Sequence, residues 1–149
     1  MKDSAINESL QQLIRAYKRR LRAGIQDHQI GLPVSHIRVL KGVYNLPLST
    51  ARLIAQQMIL DKAQVTRILN ELVHTGLIEK TDNPDDRRSQ FLTLTANGIS
   101  TLEKVSGQEA EVARQMARNL SNEELENFAR IASIMVANMT EHATPDERN

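Results

Sequence analysis
The chain has 149 residues, 40% of them hydrophobic and 25% charged, which is enough for one domain with its own core. It contains no cysteine, so disulfides, thiolate metal sites and thiol-based redox sensing are excluded, and its apolar runs fall far short of the ~20 residues a membrane span requires. The formal net charge is only +1, but it is unevenly spread: residues 1–41 carry eight Lys/Arg against three acids, and residues 96–149 carry five against nine. Such polarity fits a molecule with one face toward phosphates. The opening Met1-Lys2-Asp3-Ser4-Ala5 lacks the apolar core of a secretory signal, so the cytoplasm is the expected location.

Ile6, Leu10, Leu13, Ile14, Tyr17 and Leu21 recur at helical spacing and predict one long amphipathic helix near residues 5–28, ending before Gly31. Pro33 suits the start of a second helix with Ile37, Val39, Leu40 and Val43 inside, ended by Asn45-Leu46-Pro47. Ser49 is the expected N-cap of a third helix through Met58, packed by Leu53, Ile54 and Met58. Asp61 with Gln64 has the form of a capping box, predicting a fourth helix from Lys62 to about Thr75, stopped by Gly76. Residues 77–81 and 90–94 flank a Pro- and Asp-containing turn and predict a hairpin.

Helical spacing then returns with Ile99, Leu102, Val105, Val112, Met116 and Leu120. A second capping box, Ser121 with Glu124, precedes Leu125, Phe128, Ile131, Ala132, Met135 and Met139. Residues 1–4 and 143–149 are polar and expected to fray. The first helix and the last two carry apolar stripes that the small central unit is too small to cover. A second copy of the chain, interleaving these helices under two-fold symmetry, is the economical answer.

On a helical wheel of the fourth helix, Val65, Ile68, Leu69 and Leu72 fall on one side and must face the core. Opposite them lie Ala63, Thr66, Arg67 and Asn70, flanked by Gln64 and Glu71, with Lys62 at the start. Small residues permit close backbone approach, the Thr methyl suits thymine, and Arg, Asn and Gln match guanine or adenine edges. A plain solvated face is the competing reading. The hairpin tip holds Asp85, Asp86, Arg87 and Arg88, where an Asp two residues before an Arg is expected to hold the guanidinium and orient it for a narrow minor groove. In isolation that tip would be an exposed turn with an ion pair worth about 0–1 kcal/mol; after a helix-turn-helix, the groove is favoured.

The run Leu60-Asp61-Lys62-Ala63-Gln64-Val65-Thr66-Arg67-Ile68-Leu69, followed by Leu72, Gly76-Leu77-Ile78, Asp86-Arg87-Arg88 and Leu92-Thr93-Leu94-Thr95 with Gly98, resembles the winged helix-turn-helix signature of the MarR family of bacterial transcription regulators. The resemblance covers nearly the whole chain. It implies a mainly α (α+β) fold, with residues 32–95 as winged helix-turn-helix and residues 1–31 and 96–149 as a helical dimerisation region. It further implies a homodimeric repressor on a palindromic operator, released by a small aromatic or phenolic effector. By this resemblance Arg88 matches the wing-tip arginine and Asp86 its supporting acid. The chain departs from the pattern at Ala63-Gln64, where members often carry small hydroxyl residues, and at Pro33, where a capping hydroxyl is common.

The expected duplex contacts are thus Lys62, Ala63, Gln64, Thr66, Arg67, Asn70, Asp86, Arg87 and Arg88. His28, His36, His74 and His142 are scattered without metal-ligand spacing, so neither metal nor cofactor is expected, and His74 falls on the outward helix face. No nucleophile-base pair, Gly-rich phosphate loop or apolar-set carboxylate pair occurs, which argues against an enzyme. The Arg15–Arg22 cluster reads as a solvated or DNA-flanking face, and Met58, Met116, Met135 and Met139 as core fillers. The alternative function is a winged-helix module that docks protein without touching DNA.

Overall fold
The computed structural model describes residues 2–141, Glu141 in its backbone only. Among them the order is α1 (Lys2–Asp27), α2 (Val34–Asn45), α3 (Ala51–Met58), α4 (Lys62–His74), β1 (Ile78–Asp82), β2 (Gln90–Leu94), α5 (Ala96–Met116) and α6 (Asn122–Glu141). This is the mainly helical winged arrangement expected from the sequence. The chain divides into two compact units, one closing at Val112 and the other opening at Ala113. No helix among the described residues is long and apolar enough to cross a membrane.

The core of the first unit joins Val39, Leu40 and Val43 of α2, Ile54 of α3, Val65, Ile68, Leu69 and Leu72 of α4, and Ile78 and Leu92 of the strands. Each such burial contributes ~1.5–3 kcal/mol, so the inner face of α4 anchors the helix to its neighbours. Ile25, Ile37 and Val105 form a smaller cluster that ties α1, α2 and α5 together. β1 and β2 pair antiparallel from Ile78 opposite Leu94 to Asp82 opposite Gln90.

Several local expectations differ in detail. Ser49 does not cap α3; it is buried, its carbonyl accepts from Leu92 N at 2.8 Å, and Thr50 Oγ1 accepts from Leu53 N at 3.3 Å instead. Extension of the sheet through Ser49 takes that residue out of the cap position. On α3, Ile54 and Met58 pack inward as expected, whereas Leu53 is exposed and Ala55 is buried in its stead. The Asp61–Gln64 capping box is absent, because both side chains stand in water and Asp61 makes no side-chain cap bond. α1 is already helical at Lys2, so residues 2–4 are not frayed; Met1, His142 and residues 143–149 lie outside the described residues.

Gly76 ends α4 as expected: it takes φ +78°, Leu77 N donates to Leu72 O at 2.9 Å and Gly76 N to Val73 O at 3.0 Å. Beyond the hairpin, Thr95 Oγ1 donates to Gly76 O at 2.5 Å and accepts from Gly98 N at 3.1 Å, which caps α5 against the end of α4. A Cβ on Gly98 would stand 2.2 Å from Leu77 O, so this close approach requires glycine. In the second unit the Ser121–Glu124 box forms as expected, with Ser121 N donating to Glu124 Oε2 at 2.7 Å and Glu124 N to Ser121 Oγ at 3.1 Å. Of the four methionines expected as filler, only Met58 packs against a core; Met116, Met135 and Met139 are exposed in the single chain.

Candidate nucleic-acid interface
Lys62, Ala63, Gln64, Thr66, Arg67, Asn70, Glu71 and His74 are all exposed on α4, opposite its four buried residues, so the wheel reading of both faces holds. Two of the outward side chains are already oriented within the protein. Thr66 Oγ1 donates to Lys62 O at 2.8 Å, which commits its proton and leaves the methyl and an acceptor outward-facing groups. Asn70 Oδ1 accepts from Lys80 Nζ of β1 at 2.9 Å, leaving its amide N–H groups available.

The hairpin tip is braced by its own side chains. Asn83 Oδ1 accepts from Asp85 N at 3.0 Å, Asp86 Oδ1 accepts from Arg88 N at 3.0 Å, and Ser89 Oγ donates to Asp86 Oδ2 at 3.3 Å. Asp86 therefore supports the backbone of Arg88 and forms no ion pair with its guanidinium, contrary to the sequence expectation. An acceptor this close in sequence meets the i+2 amide more readily than a long side chain's far end. Asp85, Asp86, Arg87 and Arg88 are all exposed.

Between α4 and the hairpin lies a cleft of about 210 Å³ whose lining includes Arg52, Lys62, Lys80 and Arg88 and no carboxylate. The start of α3, with Thr50 and Ala51, completes its wall. Sequence reasoning missed Arg52 and Lys80, because the fold, not the local pattern, brings them beside Arg88. An acid-free cleft with four cations and a helix N-terminus suits a phosphate.

The opposite flank of α4 borders an open groove of about 1390 Å³ against the start of α2. Here Glu71 Oε2 accepts from His36 Nε2 at 2.5 Å and Glu71 Oε1 from Arg67 Nη1 at 3.4 Å. The His36 hydrogen bond is the main force holding the Glu71 carboxyl below its ordinary 4.5; partial desolvation opposes it and the Arg67 charge assists. His36 is buried, and its Nδ1 lies 3.2 Å from Ser35 Oγ. No group of three or more metal-ligating side chains occurs among the described residues. The cations Arg15, Lys18, Arg19 and Arg22 line a shallow depression on the exposed side of α1.

The MarR family model matches residues 30–89, from just before α2 through β1 and the hairpin tip, stopping short of β2. Over that segment the chain is similar to the MarR family. It is 27% identical to the HTH-type transcriptional regulator TcaR of Staphylococcus aureus over 73% of this chain and 72% of TcaR. It is 26% identical to the HTH-type transcriptional regulator PapX of Escherichia coli, over 59% of this chain but only 54% of PapX, so it spans about half the length of that relative. In fold it resembles a MarR family protein from Bacillus stearothermophilus, with a TM-score of 0.84 over 93% of this chain and 96% of that one at 16% identity.

Proposed function
We propose that this protein is a member of the MarR family, a sequence-specific DNA-binding regulator of transcription that acts as a cytoplasmic homodimer, most simply as a repressor on a palindromic operator. α4 lies in the major groove and the hairpin tip reaches the adjoining minor groove. The observation that carries this reading is the juxtaposition on one side of the first unit: the polar face of α4, the Arg88 tip, and between them an acid-free cleft with Arg52, Lys62 and Lys80. Residues 32–95 read the duplex, and residues 1–31 and 96–149 join the two copies. Support for the pairing comes from each unit separately: Ile6, Leu10 and Leu13 stand exposed on α1, and Phe128, Ile131, Met135 and Met139 on α6. A small aromatic effector would act by favouring a spacing of the two α4 helices other than the ~34 Å of one DNA turn.

The test is the salt dependence of duplex binding by the purified protein. Log affinity should fall linearly and steeply with log salt, and Arg67→Ala should cost about 1–3 kcal/mol and flatten preference at one operator position. Binding to a protein partner with little salt response, and none to DNA, would replace this reading with the docking-module alternative.

A further inference from the structure
Glu71 is the single carboxylate of α4, and it stands on a face otherwise made of cationic, amide and small side chains. Against DNA such a charge repels phosphates, so its place there needs a reason. Alone, an exposed Arg–Glu pair with Arg four residues N-terminal to Glu is worth little, and that order is the less favourable one along a helix. Here, however, the second carboxylate oxygen is bonded at 2.5 Å by a ring on a different helix, and the His36 side chain is only 11% exposed against 46% for Glu71. A carboxylate pinned from the buried side has lost its rotamer freedom before Arg67 arrives, so holding Arg67 costs less entropy.

We propose that His36, Glu71 and Arg67 form a positioning relay that directs the Arg67 guanidinium to a guanine edge and away from phosphate. The inference rests on the DNA-reading function proposed above. Glu71 Oε1 occupies Nη1 and leaves the remaining donors of the planar five-donor fork for the duplex. A fixed negative charge beside that fork disfavours phosphate oxygens, which are charged, more than guanine O6 and N7, which are not. The carboxylate therefore acts chiefly against the wrong contact. His36 is a positioning residue two steps removed from DNA. The other charged or titratable groups around the same groove are Asp61, Lys62 and His74, none of which is bonded to His36 or Glu71.

The relay makes opposite predictions for matched and unmatched DNA. Duplexes selected from a randomised pool with the wild-type protein are compared with a scrambled duplex, using wild type, Glu71→Gln, His36→Phe and His36→Gln, each checked for an unchanged circular dichroism spectrum. Glu71→Gln should bind the scrambled duplex more tightly than wild type and lower the matched-to-scrambled ratio roughly 5- to 10-fold, with the loss concentrated at one guanine. His36→Phe fills the same buried space without a donor and should lower the ratio similarly. His36→Gln, whose amide N–H replaces the ring donor, should restore most of it. A wild type that discriminates between the duplexes while Glu71→Gln and His36→Phe keep its full ratio overturns the relay alone. A wild type that shows no preference overturns the DNA-reading function and the relay with it.

Discussion

Gly98 is the position where one methyl group tests the packing that carries the wing. An added Cβ would stand 2.2 Å from Leu77 O, 3.1 Å from Leu77 C and 3.2 Å from Leu94 Cγ. Ordinary contact begins near 3.5 Å, so the start of α5 must withdraw by roughly 1 Å from the chain entering β1. That movement strains two bonds anchored at the same place, Thr95 N to Leu77 O at 3.1 Å and Gly98 N to Thr95 Oγ1 at 3.1 Å. Overpacking costs about 1–3 kcal/mol, the weakened cap and backbone bond about 1 kcal/mol each, and the better helix propensity of alanine offsets up to about 1 kcal/mol. Gly98→Ala should therefore destabilise the protein by roughly 2–4 kcal/mol. Urea unfolding at fixed protein concentration measures this, with Gly107→Ala as the control. Gly107 lies in the same helix with nothing within 4 Å of an added Cβ, so its substitution should be neutral or mildly stabilising. A Gly98→Ala change within about 0.5 kcal/mol of wild type would refute the account of the α4–wing–α5 junction.

Other perturbations address the interface. Arg88→Ala should lower operator affinity by about 1–3 kcal/mol with an unchanged melting curve, since the side chain is exposed and unpaired; unchanged affinity at fixed salt removes the wing from the proposed contact. Arg52→Ala should weaken matched and scrambled duplexes alike and reduce the salt slope by ~1, whereas a loss confined to matched DNA would assign it to a base. The lowered Glu71 pKa stabilises the fold at pH above the ordinary 4.5, and this contribution is lost as the pH falls through the lower folded-state value. Unfolding free energies between about pH 6 and 3 should thus fall less steeply for Glu71→Gln than for wild type, and identical slopes would contradict the Glu71 bonding described.

What the sequence made legible was whatever depends on periodicity and adjacent residues. The inner face of α4, the Gly76 stop and the Ser121–Glu124 box each follow from spacings of three or four positions, and all three stand as read. The hairpin followed in the same way, with β1 shifted by one residue. Ser49 departs from its local cap preference because its partner, Leu92, lies 43 residues away, and a bridge at that distance outranks the cap. Contacts between elements left no trace in local pattern. His36 meets Glu71 across 35 positions, and Lys80 meets Asn70 from the following strand. Asp86 supports Arg88 through its backbone N–H and not its guanidinium, a choice that nothing in the sequence distinguishes.

The central claim is that two copies of this chain place α4 and the Arg88 tip on one duplex. Footprinting of the purified protein on a genomic fragment it selects, at low ionic strength, tests this most directly. The account predicts protection of a two-fold symmetric site with half-site centres about 10 base pairs apart, occupied by two chains. Absence of protection on every fragment offered, or a single chain protecting an asymmetric half-site, would contradict it.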